Sequence, residues 1–257
     1  MPRKESVDLV GGLMFAPPLL YERKTPAAYF PPTYTNKIKA LFGSSIIGYY
    51  RGAEASGTDA LDESGFNYTG AYTGVTLGQP GIGDGLTCPL YDGANDFMQP
   101  PAGFRTALNG QLGSVLFWIA ATDWTVTGDA FNFQVDASNF IRCQLNAGVT
   151  DRIELSYNAG GTTKAVAEAS GQTTTAFRHF ALTWSLAADQ MIAYRAGIQL
   201  GSTQTALGTF VGAFSATQTL IGARITTPTN IFNGRIAQFC VLNRVAMPDE
   251  VAAAAVI

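Results

Sequence analysis

From Ile46 onward, the sequence alternates between short apolar or alternating segments and dense clusters of Gly, Pro, Asp, Asn and Ser. Segments of this kind, bounded by turn-forming residues, are typical of β-strands joined by tight turns. The first of them are Ile46–Arg51, Ala71–Leu77 and Leu86–Tyr91. Because the same pattern continues through the rest of the chain, it predicts an all-β domain over residues 46–257.

The middle of the chain supplies the strands that we expect to form the core. Gly113–Ala121 is an almost continuous apolar run, which predicts a central strand covered on both faces. Residues 130–135 and 140–145 alternate and are joined by a short turn, and residues 152–157 and 164–168 form a second such pair. Strands at about 8–12-residue spacing are typical of an antiparallel sandwich or barrel.

Composition limits the classes of partner. Hydrophobic residues make up 47% of the 257 residues, which is enough for a full core in one domain. Charged residues make up only 14%, against about 25% in typical soluble domains, which suits a protein that buries part of its surface in an assembly. The net charge of −3 gives no general affinity for nucleic acid or acidic membranes.

The sequence has no apolar run long enough for a membrane span and no apolar signal segment, so we expect synthesis and folding in a reducing cytoplasm.

Residues 1–45 differ from the rest of the chain. They contain six of the twelve prolines and show no strand alternation, and proline at this density disfavours both helix and interior strand. Their net charge is +3, whereas the remainder carries −6. The segment is nevertheless rich in large apolar and aromatic residues, unlike a disordered tail. We therefore predict an extended assembly arm over residues 1–45, with these anchoring side chains: Met14, Phe15, Leu19, Leu20, Tyr21, Tyr29, Phe30 and Tyr34.

Two arrangements of this arm remain open from the sequence. The arm can wrap around its own domain, or it can lie extended along a neighbouring subunit. The second is favoured, because proline limits the entropy that the arm loses on ordering. The partner surface would then belong to a major capsid protein or to a symmetry mate, and the protein would be a homo-oligomer or part of a larger lattice.

Several stretches resemble one known family. They are YYRGAEASGTDALDESG, PGIGDG and YDGANDFM early in the domain, and FRHFALTWS, TLIGARI and FNGRIAQFCVLNR in the last third. In this order they are similar to the laminin-G-like jelly roll of the concanavalin A-like lectin/glucanase superfamily, as found in bacteriophage structural proteins. The chain departs from the family pattern at Tyr194–Gly197, where the family's turn has an Asp.

The resemblance implies a two-sheet antiparallel jelly-roll sandwich over residues 46–257, with Trp118 and Trp184 buried. The last residues, MPDEVAAAAVI, predict a short C-terminal helix. Pro248 suits the first turn of a helix, and Asp249 and Glu250 suit the positive end of its dipole.

The sequence lacks the residue patterns of the common catalytic sites. Glycosidases of the superfamily carry carboxylates on one strand as E-x-D-x-x-E, and no such array is present. Acids within the strand segments are isolated, as at Glu154 and Glu168. The one histidine, His179, lies in an alternating strand without a nearby nucleophile motif, so we interpret it as structural. We therefore predict no enzymatic activity.

Cofactor sites are also weakly indicated. Cys88, Cys143 and Cys240 are far apart, each within an apolar strand segment, and are interpreted as buried free thiols. PGIGDG matches no phosphate-binding motif. Calcium is the one small ligand left open, because relatives with this fold bind it and because turn residues supply oxygen ligands. Its weak candidates are Asp62, Asp92, Asn95 and Asp96.

Three functions remain in view. The preferred one is a non-enzymatic structural protein of a bacteriophage virion, a head-decoration protein anchored by its N-terminal arm. The alternative is a carbohydrate-binding, lectin-like protein for host attachment or a tail component, in which exposed aromatics such as Tyr68, Tyr72 and Trp124 would contact sugar. The third, a glycosidase, is disfavoured by the missing carboxylates. The expected location is the virion, with other virion proteins and a glycan as partners, and with neither nucleic acid nor membrane.

Overall fold

Two antiparallel sheets packed face to face form the body of the protein. The computed structural model describes residues 33–146 and 151–257. Within these residues, sheet A consists of β1 (Ile46–Tyr50), β4 (Thr76–Pro80), β5 (Thr87–Asp92), β7 (Leu112–Ala121), β12 (Arg178–Ser185), β13 (Gln190–Arg195), β14 (Ile198–Gln204) and β16 (Asn233–Leu242). Sheet B consists of β2 (Asp59–Ala60), β3 (Gly70–Thr73), β6 (Phe97–Gln99), β8 (Gly128–Asp136), β9 (Asn139–Asn146), β10 (Arg152–Ala159), β11 (Thr162–Ala167) and β15 (Thr219–Ile221).

The strand order confirms the predicted jelly-roll sandwich. Sheet A runs β14-β13-β12-β7-β16-β5-β4, and β1 pairs with β16 beyond the end of β5. Sheet B runs β11-β10-β9-β8-β15-β6-β3-β2. Neighbours that are distant in sequence, such as β7 with β16 and β8 with β15, mark the crossovers between the two sheets. The two predicted hairpins form between β8 and β9 and between β10 and β11, and a third joins β13 to β14.

The core between the sheets is aromatic. Phe117 of sheet A lies 5.5 Å from Phe131 of sheet B, measured between ring centroids at a near-perpendicular angle. Phe239 lies 5.5 Å from the same Phe131 ring. Edge-to-face pairs of this kind add to the free energy gained by burial. Trp184 is fully buried in this core, as the sequence predicts.

A second apolar cluster, the outer-A cluster, covers the outer face of sheet A. Helix α1 (Tyr34–Phe42) and helix α3 (Pro248–Ala254) pack there, on top of Trp118 and its neighbours. The Trp118 Nε1 group donates to the Tyr34 hydroxyl (2.8 Å), which donates to the Ala254 carbonyl (2.6 Å). The same hydroxyl thus links sheet A, α1 and α3. This explains why β7 is covered on both faces.

Helix α1 corrects the prediction for the end of the arm. Tyr34 was expected to anchor an extended arm on a partner, but it is helical and buried against its own domain. The prolines of the segment all precede Thr33, whose side chain accepts from the Asn36 amide and begins the helix. Tyr34, Ile38 and Phe42 recur every four residues on one helix face. The other predicted anchoring residues, Met14 to Phe30, lie outside the described residues.

The C-terminal helix and the cysteines agree with the sequence predictions. The C-terminal helix is confirmed with Pro248 at its first turn, and the Glu250 carboxylate accepts from the Met247 amide. The three cysteines are buried and unpaired. A short helix, α2 (Ala102–Ala107), which the sequence analysis did not predict, joins β6 to β7. None of the described helices is long and apolar enough to cross a membrane.

Candidate functional site

The outer face of sheet B carries an unusual concentration of polar side chains. Along β8, β9 and β10, alternate residues such as Phe133, Ile141 and Leu155 point into the core. The residues between them therefore point outward. We call this set the polar face, and its members are Asp129, Asn132, Gln134, Phe140, Arg142, Gln144, Glu154, Ser156 and Asn158.

Strand register arranges the polar face in three rows. In the central row, Asn132 pairs with Arg142, which pairs with Ser156. The second row contains Gln134, Phe140 and Asn158, and the third contains Asp129, Gln144 and Glu154. Directly opposed residues in an antiparallel sheet have Cβ atoms about 4.5–5.5 Å apart, so each row is a continuous line of side chains.

Both carboxylates of the polar face are held by arginines. The Asp129 carboxylate accepts from Arg224 Nε (2.8 Å) and from Arg224 Nη2 (3.1 Å). Burial raises the pKa of the Asp129 carboxyl, and the two hydrogen bonds from Arg224 oppose that rise. Glu154 accepts from Arg152 at 3.3 Å. Each acid is thus engaged in an ion pair.

Arg142 occupies the centre of the polar face. Its guanidinium carbon lies 4.2 Å from the centroid of the Phe140 ring, which is a cation–π contact. Burial lowers the pKa of Arg142, while the charges of Asp129 and Glu154 act in the opposite direction. Within residues 33–146 and 151–257, no carboxylate forms a salt bridge with Arg142. The side chain is therefore a half-buried cation over a ring.

Three buried polar atoms of the polar face have no hydrogen-bond partner in the described part of the chain. They are Asn132 Oδ1, Asn158 Oδ1 and Arg142 Nε. By contrast, Asn132 Nδ2 donates to Gln134 Oε1 (3.1 Å) and to the Gln218 and Arg224 carbonyls. Buried polar groups in native proteins are nearly always paired, so unpaired ones indicate water or a ligand.

The two sides of the polar face differ. On the β15 side, Leu220 opposes Asn132 and is covered by a small apolar cluster with Phe97, Ala223 and Ile231. On the β11 side, Ala165 opposes Ser156 and is exposed. The face is therefore closed along one edge and open along the other.

The structure separates the weak calcium candidates. Asp62 forms a bridge with Tyr50, whose partner on β16 is Phe239, whereas Asp92 pairs with Asn233. Six residues along a strand span about 20 Å. Asp62 therefore does not share a loop cluster with the other three candidates, and its Oδ1 accepts from the Tyr49 amide (2.9 Å).

The other three candidates share the turn between β5 and β6. Asp96 Oδ2 accepts from the Asp92 amide (2.9 Å), and Asp92 Oδ1 accepts from the Ala94 amide (2.7 Å). Asp96 Oδ1 and Asn95 Oδ1 both face the space beside Gly74, where a Cβ would clash with Asp96. Calcium takes about six to eight oxygens. In the described residues no group of three or more His, Cys, Asp or Glu side chains is placed to hold a metal ion.

Residues that could act in acid–base catalysis are buried away from solvent. His179 is buried on β12 beside Trp118, with 5.3 Å between the ring centroids. Desolvation lowers the pKa of His179 to about 3, with a smaller contribution from Lys37. The Glu168 carboxylate is enclosed by Arg178 (2.6 Å) and Arg195 (3.1 Å). Neither side chain is placed to exchange a proton with a substrate.

The aromatic residues considered for sugar binding are mostly buried. Tyr72 and Trp124 are each only 7% exposed. Tyr68 is half-buried, and the exposed Phe66 stacks on it with 5.5 Å between the ring centroids. Phe66 was not singled out from the sequence. Of the three aromatic residues predicted to contact sugar, Tyr68 is the one that belongs to a partly exposed aromatic surface, which it forms with Phe66.

An open groove of about 760 Å³ lies at one end of the sandwich. One side is formed by α2 and the residues that follow it, and the other side by residues 210–214. Phe210 and Phe214 form its apolar wall and are themselves buried. Its lining includes few charged groups and none of the polar face.

The polar face was not predicted from the sequence, although the sequence contains a signal for it. Polar residues occupy alternate positions in β8, β9 and β10, opposite the apolar residues that define the core. Such alternation alone indicates only solvent exposure. The structural observation that sequence could not supply is burial, since Asn132 is 0% exposed and Asn158 is 6% exposed.

Comparison with known families and structures gives one clear relationship. Residues 92–252 match the family model described as the concanavalin A-like lectin/glucanases superfamily. A search of curated proteins by sequence finds no match.

Solved structures with a similar fold include carbohydrate-related proteins. Domain 4 of an extracellular arabinanase from Geobacillus stearothermophilus, in complex with arabinotriose, is 16% identical with a TM-score of 0.62, over 82% of this chain and 98% of that domain. The binding domain of botulinum neurotoxin serotype D is 16% identical with a TM-score of 0.59 (83% and 52%). The Trypanosoma rangeli sialidase is 9% identical with a TM-score of 0.60 (87% and 37%). The chain thus spans about half of the toxin domain and about a third of the sialidase.

Proposed function

Because the chain belongs to the concanavalin A-like lectin/glucanase superfamily, we propose that it is a carbohydrate-binding protein without catalytic activity, and that the polar face binds the glycan. The observation that carries this proposal is the set of polar side chains that this face leaves partly exposed, Gln134, Arg142 and Gln144, of which Arg142 has no ion-pair partner among the described residues. Sugar hydroxyls can donate to amide oxygens and accept from a guanidinium N–H. A glycan on this face could therefore hydrogen-bond to these accessible groups, whereas Asn132 and Asn158 are buried.

The chemistry of the polar face supports binding rather than hydrolysis. Glycosidases need one carboxylic acid that donates a proton and a second carboxylate that is free to act as base or nucleophile. Asp129 and Glu154 are instead engaged by Arg224 and Arg152. Domain 4 of the arabinanase, which shares the fold, was solved with arabinotriose bound, and that similarity supports a carbohydrate ligand for this fold.

A blocking substitution tests the proposed site. Ala165 is exposed on β11 and opposes Ser156 in the central row, so Ala165→Trp would place an indole over the polar face without entering the core. We expect the variant to lose at least about tenfold in affinity for any glycan that the wild type retains, which corresponds to about 1.4 kcal/mol. The measurement is a glycan array followed by titration calorimetry.

Gln199→Trp is the matched control. Gln199 is exposed on β14, the corresponding edge strand of sheet A. This variant should bind as the wild type does. Equal affinity of the wild type and Ala165→Trp would contradict the placement of the site. Hydrolysis of any retained glycan, abolished by substitution of Asp129 or Glu154, would contradict the absence of catalysis.

We also propose that the protein is a structural component of a bacteriophage virion, anchored through its N-terminal segment. Thr33 begins α1, which packs on the outer face of sheet A. The chain therefore enters the domain on the sheet opposite to the polar face. The proposal covers a head-decoration protein and a tail component alike.

Deletion of residues 1–32 tests this second proposal. The truncated chain retains α1 and the outer-A cluster, so it should keep the melting temperature of the full chain. It should no longer co-purify with assembled particles, and immunogold labelling of particles with the full chain would distinguish head from tail. Unchanged occupancy of the truncated chain on particles would contradict anchoring by this segment.

A further inference from the structure

Arg142 is the cation of the polar face that has no carboxylate partner among the described residues. Three arginines lie on or beside the face, at positions 142, 152 and 224; the carboxylates on the face are at positions 129 and 154, and Asp136 and Asp151 lie at the ends of β8 and β10. Arg152 and Arg224 pair with the two carboxylates. No carboxylate of the described residues forms an ion pair with Arg142. This arginine lies at the centre of the face, between Asn132 and Ser156.

The position of Arg142 is more constrained than that of an ordinary surface arginine. Its guanidinium carbon lies 4.2 Å from the centroid of the Phe140 ring, a cation–π contact that holds the group over that ring. A charge removed from water without a partner is costly, and a cation–π contact offsets only part of that cost. An anionic group would supply the missing partner, and the planar fork of arginine suits carboxylate and sulfate oxygens in particular.

We propose that the glycan bound by the polar face is an acidic one, and that its carboxylate or sulfate group pairs with Arg142. This inference rests on the proposed carbohydrate-binding function. Gln144, two residues along β9 from Arg142, and Gln134, on the neighbouring strand β8, are partly exposed and offer amides suited to neutral sugar hydroxyls. The ligand thus has one charged contact at its centre and neutral contacts around it.

General electrostatics do not favour such a ligand. The protein carries a net charge of −3 and a pI near 5.1, so it has no long-range attraction for polyanions. Binding of an acidic glycan would therefore report a local contact rather than non-specific charge attraction.

The experiment compares acidic glycans with their neutral counterparts on the full chain. Probes are uronic-acid oligosaccharides, sulfated chondroitin oligosaccharides, and the same compounds after carboxyl reduction or desulfation. The wild type should bind an acidic form at least about tenfold more tightly than its neutral form, the range expected for one charge-assisted hydrogen-bonded contact. The carboxylated and sulfated arms identify which anion is preferred.

Arginine variants locate the contact. Arg142→Gln should lose the preference for the acidic form, and Arg142→Lys should retain part of it because the charge remains without the planar fork. Arg235→Gln is the matched control, since Arg235 likewise lies over a phenylalanine, Phe177, at 4.9 Å, but on sheet A. It should bind as the wild type does. If Arg142→Gln does not fold, the ligand pairs and Arg142→Lys still decide.

The possible failures are distinguishable. Equal binding of acidic and neutral forms, or an unchanged preference in both Arg142 variants, would overturn the acidic ligand and leave the carbohydrate-binding function standing. Retention of no glycan, acidic or neutral, would overturn the proposed function and the inference together.

Discussion

His179 and Arg142 each have ring or guanidinium nitrogens without a partner, but they lie in different surroundings. His179 lies under the outer-A cluster, and neither ring nitrogen has a hydrogen-bond partner among the described residues. Arg142 also has an unpaired nitrogen, but it lies on a sheet face rather than beneath a layer of helices. The burial of His179 costs stability, and no ligand can reach its ring. Arg142, by contrast, is a charged group beside solvent. Burial alone therefore does not identify a binding site, and the surroundings decide.

His179 predicts a specific pH dependence of stability. Its folded-state pKa of about 3 lies below the unfolded value of 6.5, so the unfolded chain takes up a proton that the folded chain does not. Stability is therefore complete above pH 6.5 and falls by about 1.4 kcal/mol per pH unit as the pH decreases toward 3. Because His179 is the one histidine of the chain, no second histidine contributes to the change in stability between pH 6.5 and 4.5.

Urea denaturation of the wild type and His179→Leu across this window checks the prediction. The variant should lose the decrease in stability between pH 6.5 and 4.5. Burial raises the pKa values of Asp96 and Asp129, which act in the opposite sense, so the difference between the two proteins is the informative quantity. A parallel pH dependence in both proteins would show that His179 is protonated in the folded state.

At the scale of elements, sequence periodicity predicted the strands and failed at α1. Alternation identified β8, β9 and β10 because one face of each is apolar. The prediction of an extended arm covered residues 1–45, but its argument rested on prolines that occur only in residues 1–32. Residues 33–45 contain no proline that would prevent a helix. The spacing of Tyr34, Ile38 and Phe42 indicates a helix, but the surface that it covers is formed by Trp118, 84 residues away.

Removal of α1 should therefore have a different effect from removal of the segment before it. A chain lacking residues 1–45 exposes the outer-A cluster, including Trp118, and leaves its Nε1 without the Tyr34 hydroxyl. We expect a clearly lower melting temperature and increased binding of a hydrophobic dye, because apolar area is returned to water at about 25 cal/mol per Å². Equal melting temperatures for the chains lacking residues 1–32 and 1–45 would contradict the stabilising role of α1.

At the scale of the whole molecule, the two sheets have different outer surfaces. The outer face of sheet A is covered by α1 and α3 and receives the chain at Thr33. The outer face of sheet B keeps its polar side chains. The fold could be predicted from the sequence because strand periodicity and turn residues determine it locally. The polar face could not, because it depends on register across three strands and on the burial of Asn132 and Asn158.

The most direct test of the binding site is a nitrogen-15 NMR titration of the full chain with the tightest-binding oligosaccharide from the array. We expect chemical shifts to change in β8, β9 and β10, and the side-chain amide resonances of the partly exposed Gln134 and Gln144 to move with them. Saturation of these changes should give the affinity measured by calorimetry. Changes confined to α2 and residues 210–214, or to the Phe66–Tyr68 pair, would contradict the assignment of the polar face as the glycan-binding site.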